Sequence, residues 1–453
     1  MGSEENGIDF DLDDRVTDWG RLHRVHVNRI VTPKTEETLR DVVGRAHAEG
    51  LKVALRGSGH SAGGQSLCEN GVMVDMRSLN RLLEVNEAER TATVQAGADW
   101  AVMTRALEPL RLAVATKQEF DTFTIGGSIA CNVHGKTIDY GPLIETTESF
   151  RLLNAQGDII NVSRTENAEL FPAVIGGYGL FGVVIDATFK LVTDRVVEKT
   201  EVVHMNTEPL IANYIERIKR GPALCYGFLN EDCSRGYYVT YDAIDDPGLG
   251  LSELKRDELS PRLFNKFIAL QRHSRTLRER AFHFMWAGSN KPEITLESRR
   301  LLLWDKGPRA FDDMLLQKYF VPTDNFTAFL AEIGPLFARY GSALPLLTNH
   351  FRYVPGNDES LLAFAPQRAI CLIPCYLARK GDAGWYKKLT EATEQLIDIV
   401  LKYGGTYYLT FDSIPTRSQF QAAYPKHNEF FALKRKHDPD EQFSSLFYEK
   451  YAP

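Results

Sequence analysis

Hydrophobic positions between residues 35 and 76 follow first a helical and then a strand-like spacing. Apolar residues between 39 and 46 recur at intervals of three and four after Thr35, a residue type that often caps a helix. Short apolar runs at 53–55 and 72–76 are typical of strands, and a glycine-rich loop separates them. This order predicts a small α/β lobe with a glycine-rich turn at the carboxyl end of a strand.

A second group of elements follows with the spacing of antiparallel strands. We predict a hairpin from residues 82–85 and 91–96, followed by a helix near 100–107. Between residues 183 and 191 every second residue is apolar, which predicts a long strand.

The pattern changes near Thr193, after which strands alternate with longer amphipathic helices. Strands are predicted at 225–229, 237–241, 315–321, 344–353, 370–377 and 407–410, and helices at 209–220, 326–340 and 386–403. Such alternation is typical of an α+β sheet with helices on one face. The tail 430–451 is too aromatic to be disordered, so it should dock on a lobe.

Composition and charge narrow the class of protein. A net charge of -7 argues against a general nucleic-acid binder, which would carry a basic face. No apolar run approaches the roughly 18 residues of a membrane span, and the polar stretch 1–15 does not resemble a secretory signal. Six scattered cysteines without a zinc-type pair favour a reducing compartment. We therefore expect a cytoplasmic protein without a metal site.

The most informative segment is the loop Arg56-Gly-Ser-Gly-His-Ser-Ala-Gly-Gly-Gln-Ser66. Glycines let backbone N–H groups approach a pyrophosphate closely, and Ser58, Ser61 and Ser66 can add hydroxyl donors. No helix pattern opens directly after the loop, as a nicotinamide site would require, and the Gly-Lys-Ser/Thr of a P-loop is missing. Taken alone, the loop is explained equally well as a glycine-rich turn between two strands.

Two further glycine-rich stretches favour a ligand. One runs from Thr124 to Gly135 and contains Gly126-Gly127, and the other spans residues 176–182, just before the strand at 183. Three such turns in one lobe suggest a large ligand that threads through it. Gly126-Gly127 would then approach its flat face, and residues 176–182 would line its far end.

The order of these motifs resembles the flavoproteins of the vanillyl-alcohol oxidase superfamily, which have a PCMH-type FAD-binding domain. The motifs are Arg-Gly-Ser-Gly-His-Ser at 56–61, Thr-Ile-Gly-Gly-Ser-Ile-Ala-Cys-Asn-Val-His-Gly-Lys at 124–136, and Gly-Gly-Tyr-Gly-Leu-Phe-Gly at 176–182. Within the superfamily the chain is most similar to the sugar and polyol oxidases, which include alditol oxidase, gulonolactone oxidase and decaprenylphosphoryl-ribose oxidase. The resemblance is strong over residues 15–191 and looser over 315–448.

The resemblance implies an α+β fold in two domains. A two-lobed PCMH-type FAD-binding domain at 15–195 would precede a substrate-binding cap domain with an antiparallel sheet at 196–412, and the tail 413–453 would pack back on the first domain. FAD is the implied cofactor. The residues implied to bind it are Arg56, Gly57, Ser58, Gly59, His60, Ser61, Gly64, Gln65, Thr124, Gly126, Gly127, Ser128, Cys131, His134, Gly177, Gly179, Gly182, Val184 and Tyr408.

His60 matches a histidine that members such as gulonolactone oxidase and cytokinin dehydrogenase join covalently to the flavin 8α-methyl carbon. The resemblance therefore implies FAD bound covalently through His60. The decaprenylphosphoryl-ribose oxidase branch lacks that histidine and binds FAD non-covalently, yet this branch matches His134-Gly-Lys136. The alternative for His60 is a hydrogen-bonded loop histidine. A second, cysteinyl bond is not expected, because residues 139–142 contain no cysteine.

Four residues are implied to orient the substrate or move its hydroxyl proton, namely His134, Lys136, Lys318 and Arg352. Lys318 stands where related oxidases carry Glu or Gln, and a desolvated lysine near other cations can act as a base. Arg352 could instead hold a carboxylate or phosphate in a fork. The plainer interpretations are that Lys318 faces solvent on an alternating strand and that Arg352 forms a surface salt bridge.

The resulting hypothesis is an FAD-dependent oxidase or dehydrogenase of a small hydroxylated substrate, namely a sugar, polyol or glycosylated metabolite. Hydride would pass from the carbinol carbon to flavin N5, and O2 would accept the electrons. One alternative is a same-fold flavoenzyme for oxidative C–C or C–N bond formation or amine oxidation. The other is a non-catalytic flavin- or nucleotide-binding protein. The oligomeric state stays open.

Overall fold

The computed structural model describes residues 15–248, 250–251, 254, 271, 274–301, 314–411 and 414–453, with the backbone of 4–5 and 8–9. The expected domain boundary at 412–413 lies outside the described residues. In the described part of the chain, no helix combines the length and apolar character that crossing a membrane requires.

The N-terminal part contains two short strand pairs and a three-stranded parallel sheet. Its elements are β1 (Glu4–Glu5), β2 (Ile8–Asp9), β3 (Val16–Thr17), β4 (Arg24–Val25), β5 (Arg29–Val31), α1 (Glu36–Ala48), β6 (Val53–Arg56) and β7 (Val72–Asp75). β7 lies between β5 and β6 and runs parallel to both. Thr35 caps α1 as predicted, because its hydroxyl accepts the Thr38 N–H in a capping box. The predicted α/β lobe is present, and its strand β6 leads directly into the first glycine-rich loop.

A six-stranded antiparallel sheet follows. Its strands and accompanying helices are β8 (Leu82–Asn86), β9 (Thr91–Gln95), α2 (Trp100–Leu107), β10 (Leu112–Val114), α3 (Ile125–Ala130), β11 (Thr147–Leu153), β12 (Ile159–Ser163), α4 (Phe171–Val174) and β13 (Val183–Thr193). The sheet order is β12-β11-β13-β9-β8, and β10 also pairs with β13. The sequence did not predict α3, because two glycines disfavour a helix. Thr124 caps this short helix by accepting the Gly127 N–H.

The third part is a nine-stranded antiparallel sheet covered by helices. Its elements are β14 (Val196–Asn206), α5 (Thr207–Lys219), β15 (Leu224–Leu229), β16 (Arg235–Ala243), α6 (Arg275–Ser289), β17 (Ile294–Leu296), α7 (Glu297–Leu301), β18 (Met314–Leu316), β19 (Tyr319–Pro322), α8 (Phe326–Tyr340), β20 (Leu346–Val354), β21 (Ala369–Leu377), α9 (Ala383–Lys402) and β22 (Thr406–Tyr407). The order is β17-β14-β16-β15-β20-β21-β19-β22, with β18 also on β21. The expected α+β architecture with an antiparallel cap sheet is confirmed.

One predicted strand, at 315–321, is wrong in a way that matters for the site. The structure divides it into β18 and β19, which pair with β21 in one register and leave Gln317 and Lys318 between them. Opposite this gap lies Pro374, which has no N–H to donate. The Gln317 N–H donates to the Pro374 carbonyl at 3.3 Å, but Pro374 can donate nothing in return. On the side of β22, the Lys318 carbonyl accepts the Tyr408 N–H at 2.9 Å. Lys318 is buried, so the interpretation of a solvent-facing lysine is also wrong.

The C-terminal tail lies against the first lobe. It contains α10 (Arg417–Ala423), α11 (His427–His437) and α12 (Leu446–Tyr451). The Val53 N–H donates to the Gln442 carbonyl at 2.7 Å, and the Ser444 N–H donates to the Val53 carbonyl at 3.0 Å. Phe443, between them, is fully buried in the same core as α1 and β7. The tail therefore extends the hydrogen bonding of β6, the strand that precedes the first glycine-rich loop.

Candidate functional site

A cleft runs along the three glycine-rich segments and reaches Lys318 and Tyr408, beside the edge strand β22 of the nine-stranded sheet. Among the residues predicted to bind the cofactor, all line this cleft except Gly64. Gly64 lies behind the loop, where an added Cβ would come within 2.9 Å of the Leu446 Cβ. Its place in the motif therefore reflects packing against the tail.

The first glycine-rich loop presents free backbone donors to the cleft. The N–H groups of residues 58–61 donate to no other residue in the described part of the chain. Gly59 has a φ of +74°, and a Cβ there would lie 2.4 Å from the Arg56 Nη2. Consecutive unpaired N–H groups in a glycine-rich turn form a concave site for an anion. The loop is thus built for a negatively charged group.

Other predicted donors are already used by the protein. The Ser58 hydroxyl donates to the Thr122 carbonyl at 2.6 Å, and the Gln65 amide donates to the Leu409 carbonyl. The Gly126 N–H donates to the Ala96 carbonyl at 2.7 Å. The Ser128 hydroxyl donates to the Thr124 carbonyl at 2.9 Å. These groups fix the wall of the cleft, and the expectation that Ser58 offers a hydroxyl donor to a ligand is not met.

His60 is a buried, neutral imidazole in the cleft wall. Its ring stacks on Phe123, with centroids 4.1 Å apart and an interplanar angle of 30°. Burial, with a smaller contribution from the Arg56 charge, lowers the pKa of His60 to about 3. Its Nε2 has no hydrogen-bond partner among the described residues. A neutral ring with an unpartnered nitrogen can act as a nucleophile or accept a hydrogen bond.

Lys318 and His134 lie together in the lining of the cleft. The Lys318 Nζ lies 3.4 Å from the His134 Nε2 and 5.2 Å from the ring centres of both Tyr408 and Phe411. Burial, followed by the charge of Arg352, lowers the pKa of Lys318 to about 8. Burial and the nearby cations hold the pKa of His134 well below its ordinary value. At neutral pH His134 is therefore uncharged, and its Nε2 can accept a hydrogen bond from Lys318.

A charged cluster lies behind this pair. The carboxylate of Glu119 is 3.0 Å from the Arg352 Nη1, 3.2 Å from the Lys136 Nζ and 3.9 Å from the His350 Nδ1. Arg352 is fully buried, so the interpretation of a surface salt bridge is wrong. Neither Lys136 nor Arg352 lines the cleft. The four candidate catalytic residues are thus brought together, but in two layers, with His134 and Lys318 in front.

Comparison with known proteins agrees with these features. Residues 27–163 match a family described as an FAD binding domain. The decaprenylphosphoryl-beta-D-ribose oxidase of Mycolicibacterium smegmatis is 26% identical over 95% of this chain and 96% of its own length. The L-gulonolactone oxidase of Bos taurus is 24% identical, with 95% and 97% covered. The L-gulono-1,4-lactone dehydrogenase of Mycobacterium tuberculosis is 23% identical, with 91% and 93% covered. The chain is an FAD-linked oxidoreductase, and its FAD-binding domain resembles the PCMH type. Its resemblance to sugar and polyol oxidases is confirmed.

The cleft of this oxidoreductase fits FAD on structural grounds. The unpaired N–H groups of residues 58–61 suit a pyrophosphate, and the unpartnered Nε2 of His60 lies in the same cleft. The cleft continues along residues 177–184 on one side and ends near Lys318 on the other. Among the described residues, no group of three or more His, Cys, Asp or Glu is placed to hold a metal ion.

Sequence reasoning missed Glu119 and Phe123, two residues that shape the oxidoreductase site. Phe123 holds the His60 ring, and Glu119 neutralises cations that come from distant segments. No periodicity marks either residue. Charge balance could have indicated a residue such as Glu119. Lys136, Lys318 and Arg352 were all predicted to lie in one pocket, and buried cations require a carboxylate nearby.

Proposed function

We propose that the protein oxidises the CH–OH group of a sugar, polyol or glycosylated small metabolite, with FAD as hydride acceptor. The observation that carries this proposal is the buried Lys318–His134 pair in the lining of the cleft. It offers a proton acceptor in a cleft that otherwise fits the cofactor. Relatives that match almost the whole chain are named as oxidases or dehydrogenases of a ribose derivative and of gulonolactone.

FAD, when bound, supplies a hydride acceptor at N5 and can pass its electrons to O2. The residues of this chain have separate tasks. The loop at 56–61 and the segments at 124–128 and 177–184 would hold the cofactor. Neutral Lys318 would take the proton of the substrate hydroxyl at its Nζ, and His134 would orient that amine through the 3.4 Å contact. The rings of Tyr408 and Phe411 would keep water away from the same amine.

The charge state of Lys318 supports its role as the base. A lysine whose pKa lies at about 8 is partly neutral near pH 7, whereas an exposed lysine is almost wholly protonated. Arg352 does not line the cleft, so we do not assign it a fork for a substrate carboxylate. Arg352 would instead act on Lys318 through its charge, and Lys136 through the Glu119 carboxylate that it shares with Arg352.

We also propose that FAD is attached covalently through His60. The neutral state of the ring and the unpartnered Nε2 support this proposal, since bond formation requires a free lone pair. Phe123 would hold the ring in one orientation.

Two coarser proposals accompany these. Residues 15–195, with the tail that lies on β6, would form the FAD-binding domain, and residues 196–412 the cap domain. The six cysteines are all free thiols, which supports a reducing compartment, the cytoplasm.

The test is anaerobic mixing of the purified yellow holoprotein with polyols, free sugars, sugar lactones, glycosides and amines, monitored by the visible absorbance of the flavin. Bleaching by a hydroxylated compound is expected, with a ketone, aldehyde or lactone of unchanged carbon skeleton as product. Readmission of air should restore the yellow colour and release hydrogen peroxide. A product with altered carbon connectivity, or bleaching by amines alone, would favour the other flavin chemistries. No bleaching with any compound would favour a non-catalytic flavoprotein.

A further inference from the structure

Glu119 lies in the loop between β10 and α3, and 13% of its side chain is exposed. Its carboxylate contacts Arg352 at 3.0 Å and Lys136 at 3.2 Å, with His350 at 3.9 Å. Burial alone would raise the pKa of Glu119, but the surrounding cations hold it well below the ordinary value. The residue is therefore a fixed negative charge inside the protein.

The two cations depend on this single carboxylate. Within the described part of the chain, neither Lys136 nor Arg352 contacts another Asp or Glu side chain. The Lys136 ammonium otherwise lies 4.9 Å above the ring of Tyr226. Two buried cations that share one anion are held in place by it, because separation would leave each charge without compensation.

Lys318 has no carboxylate contact in the described residues, although it lies in the same electrostatic environment. Negative charge on Glu119 favours its ammonium form, and the positive charge of Arg352 opposes it. The titratable and charged groups that interact with Lys318 are His134, His350, Arg352, Glu119, Cys131, Cys371, Cys375 and Tyr408. Glu119 is the carboxylate among them.

We propose that Glu119 is a positioning residue that clamps Arg352 and Lys136 together and thereby sets the protonation state of Lys318. This inference rests on the proposed function, in which neutral Lys318 accepts the substrate proton. Glu119 does not touch the cleft itself. Its charge offsets Arg352 at the position of the lysine, so its removal would leave Lys318 facing an uncompensated cation.

The experiment measures the protonation of Lys318 without a substrate. The visible spectrum of the oxidised holoprotein is titrated with pH, and the transition that disappears in Lys318→Met is assigned to Lys318. In the wild type its midpoint is expected near pH 8. In Glu119→Gln the midpoint should fall by about one pH unit, because an opposite charge close by shifts a pKa by roughly 1–3. In Arg352→Gln it should rise.

Glu231→Gln is the matched control. Glu231, in the turn between β15 and β16, forms a similarly buried pair with Arg278 of α6, with contacts of 2.9–3.1 Å, and neither residue lines the cleft. Its loss should lower the melting temperature without moving the midpoint. If Glu119 served stability alone, Glu119→Gln would likewise lower the melting temperature and leave the midpoint unchanged. Opposite shifts of the midpoint in Glu119→Gln and Arg352→Gln therefore distinguish the positioning role from a purely structural one.

An unchanged or raised midpoint in folded, flavin-loaded Glu119→Gln would overturn the proposal. If that variant does not retain flavin, the Arg352→Gln arm decides, and a midpoint that stays or falls would overturn it. Failure of the proposed function is recognised separately, because it appears as a lack of bleaching in the substrate panel while the spectral titration remains measurable.

Discussion

The wall of the cofactor cleft and the charged cluster behind it are built in different ways. The wall comes mainly from a few continuous segments that are recognisable as sequence motifs. In the first of them, backbone N–H groups are unpaired and available to a ligand. The cluster joins single side chains from the loop after β10, the loop after α3, and β20. A site made of backbone is visible in local sequence, whereas a site made of scattered charges requires the tertiary pairing.

The two regions also differ in what a mutation should change. In the wall, a substitution alters the shape of the cleft or removes the proposed attachment point for the flavin, so flavin retention is the natural readout. In the cluster, a substitution changes the charge in a low-dielectric environment, so rate and pH dependence respond. The comparison is tested by whether substitutions in the wall change flavin retention and substitutions in the cluster change rate and pH dependence.

The largest effect is expected from His60→Ala in the wall. Acid precipitation of wild-type holoprotein should leave the flavin on the chain, and the variant should release all of it, because the ring that forms the bond is absent. Fluorescence of the denatured chain on a gel measures the retention. His204→Ala, on β14 outside the cleft, is the control and should keep its flavin. Release from the wild type as well would show that the covalent proposal is wrong and leave the FAD site intact.

The next largest effect is expected from Lys318→Met, where the cluster meets the wall. Loss of a general base lowers kcat/KM by roughly 10²–10⁴-fold. If the neutral amine is the active form, as proposed, the wild-type rate should rise with pH and level off above about 8, and this rise should vanish in the variant. Steady-state rates from pH 6 to 10 with the best substrate provide the measurement.

Lys402→Met is the control for this substitution, since that lysine forms an exposed pair with Glu332 and does not line the cleft. Its rate and pH profile should match the wild type. A Lys318→Met enzyme that keeps the wild-type pH profile would remove Lys318 from the role of base and leave His134 as the nearest candidate.

Much of the fold could be predicted from sequence because the patterns were local. The helix after Thr35 has its cap and its buried face in adjacent residues, and the glycine motifs lie in the cleft as expected. The break at Lys318 could not be predicted, since it depends on Pro374 on a neighbouring strand. The same holds for Glu119, whose partners lie on distant segments. Gly64 shows the converse, a residue inside a motif that serves packing against the tail.

The smallest effect is expected from a matched pair of glycine substitutions. A Cβ on Gly57 would lie 2.0 Å from the Thr124 hydroxyl oxygen, the group that caps α3. Gly57→Ala should therefore destabilise the protein by about 1–3 kcal/mol, as other overpacked sites do, and lower its flavin content. Gly44 lies inside α1 with nothing within 4 Å of an added Cβ. Gly44→Ala should stabilise the protein by about 0.5–1 kcal/mol.

Chemical unfolding of both variants, with flavin content measured before unfolding, separates two explanations for the glycine-rich wall. If Gly57→Ala loses stability and flavin together, the motif is conspicuous in sequence because the loop and α3 meet at a distance that only glycine allows. If the variant is as stable as the wild type yet loads less flavin, the alanine interferes with the cofactor instead. If it is stable and fully loaded, Thr124 can move aside, and the wall is held more loosely than the charged cluster behind it.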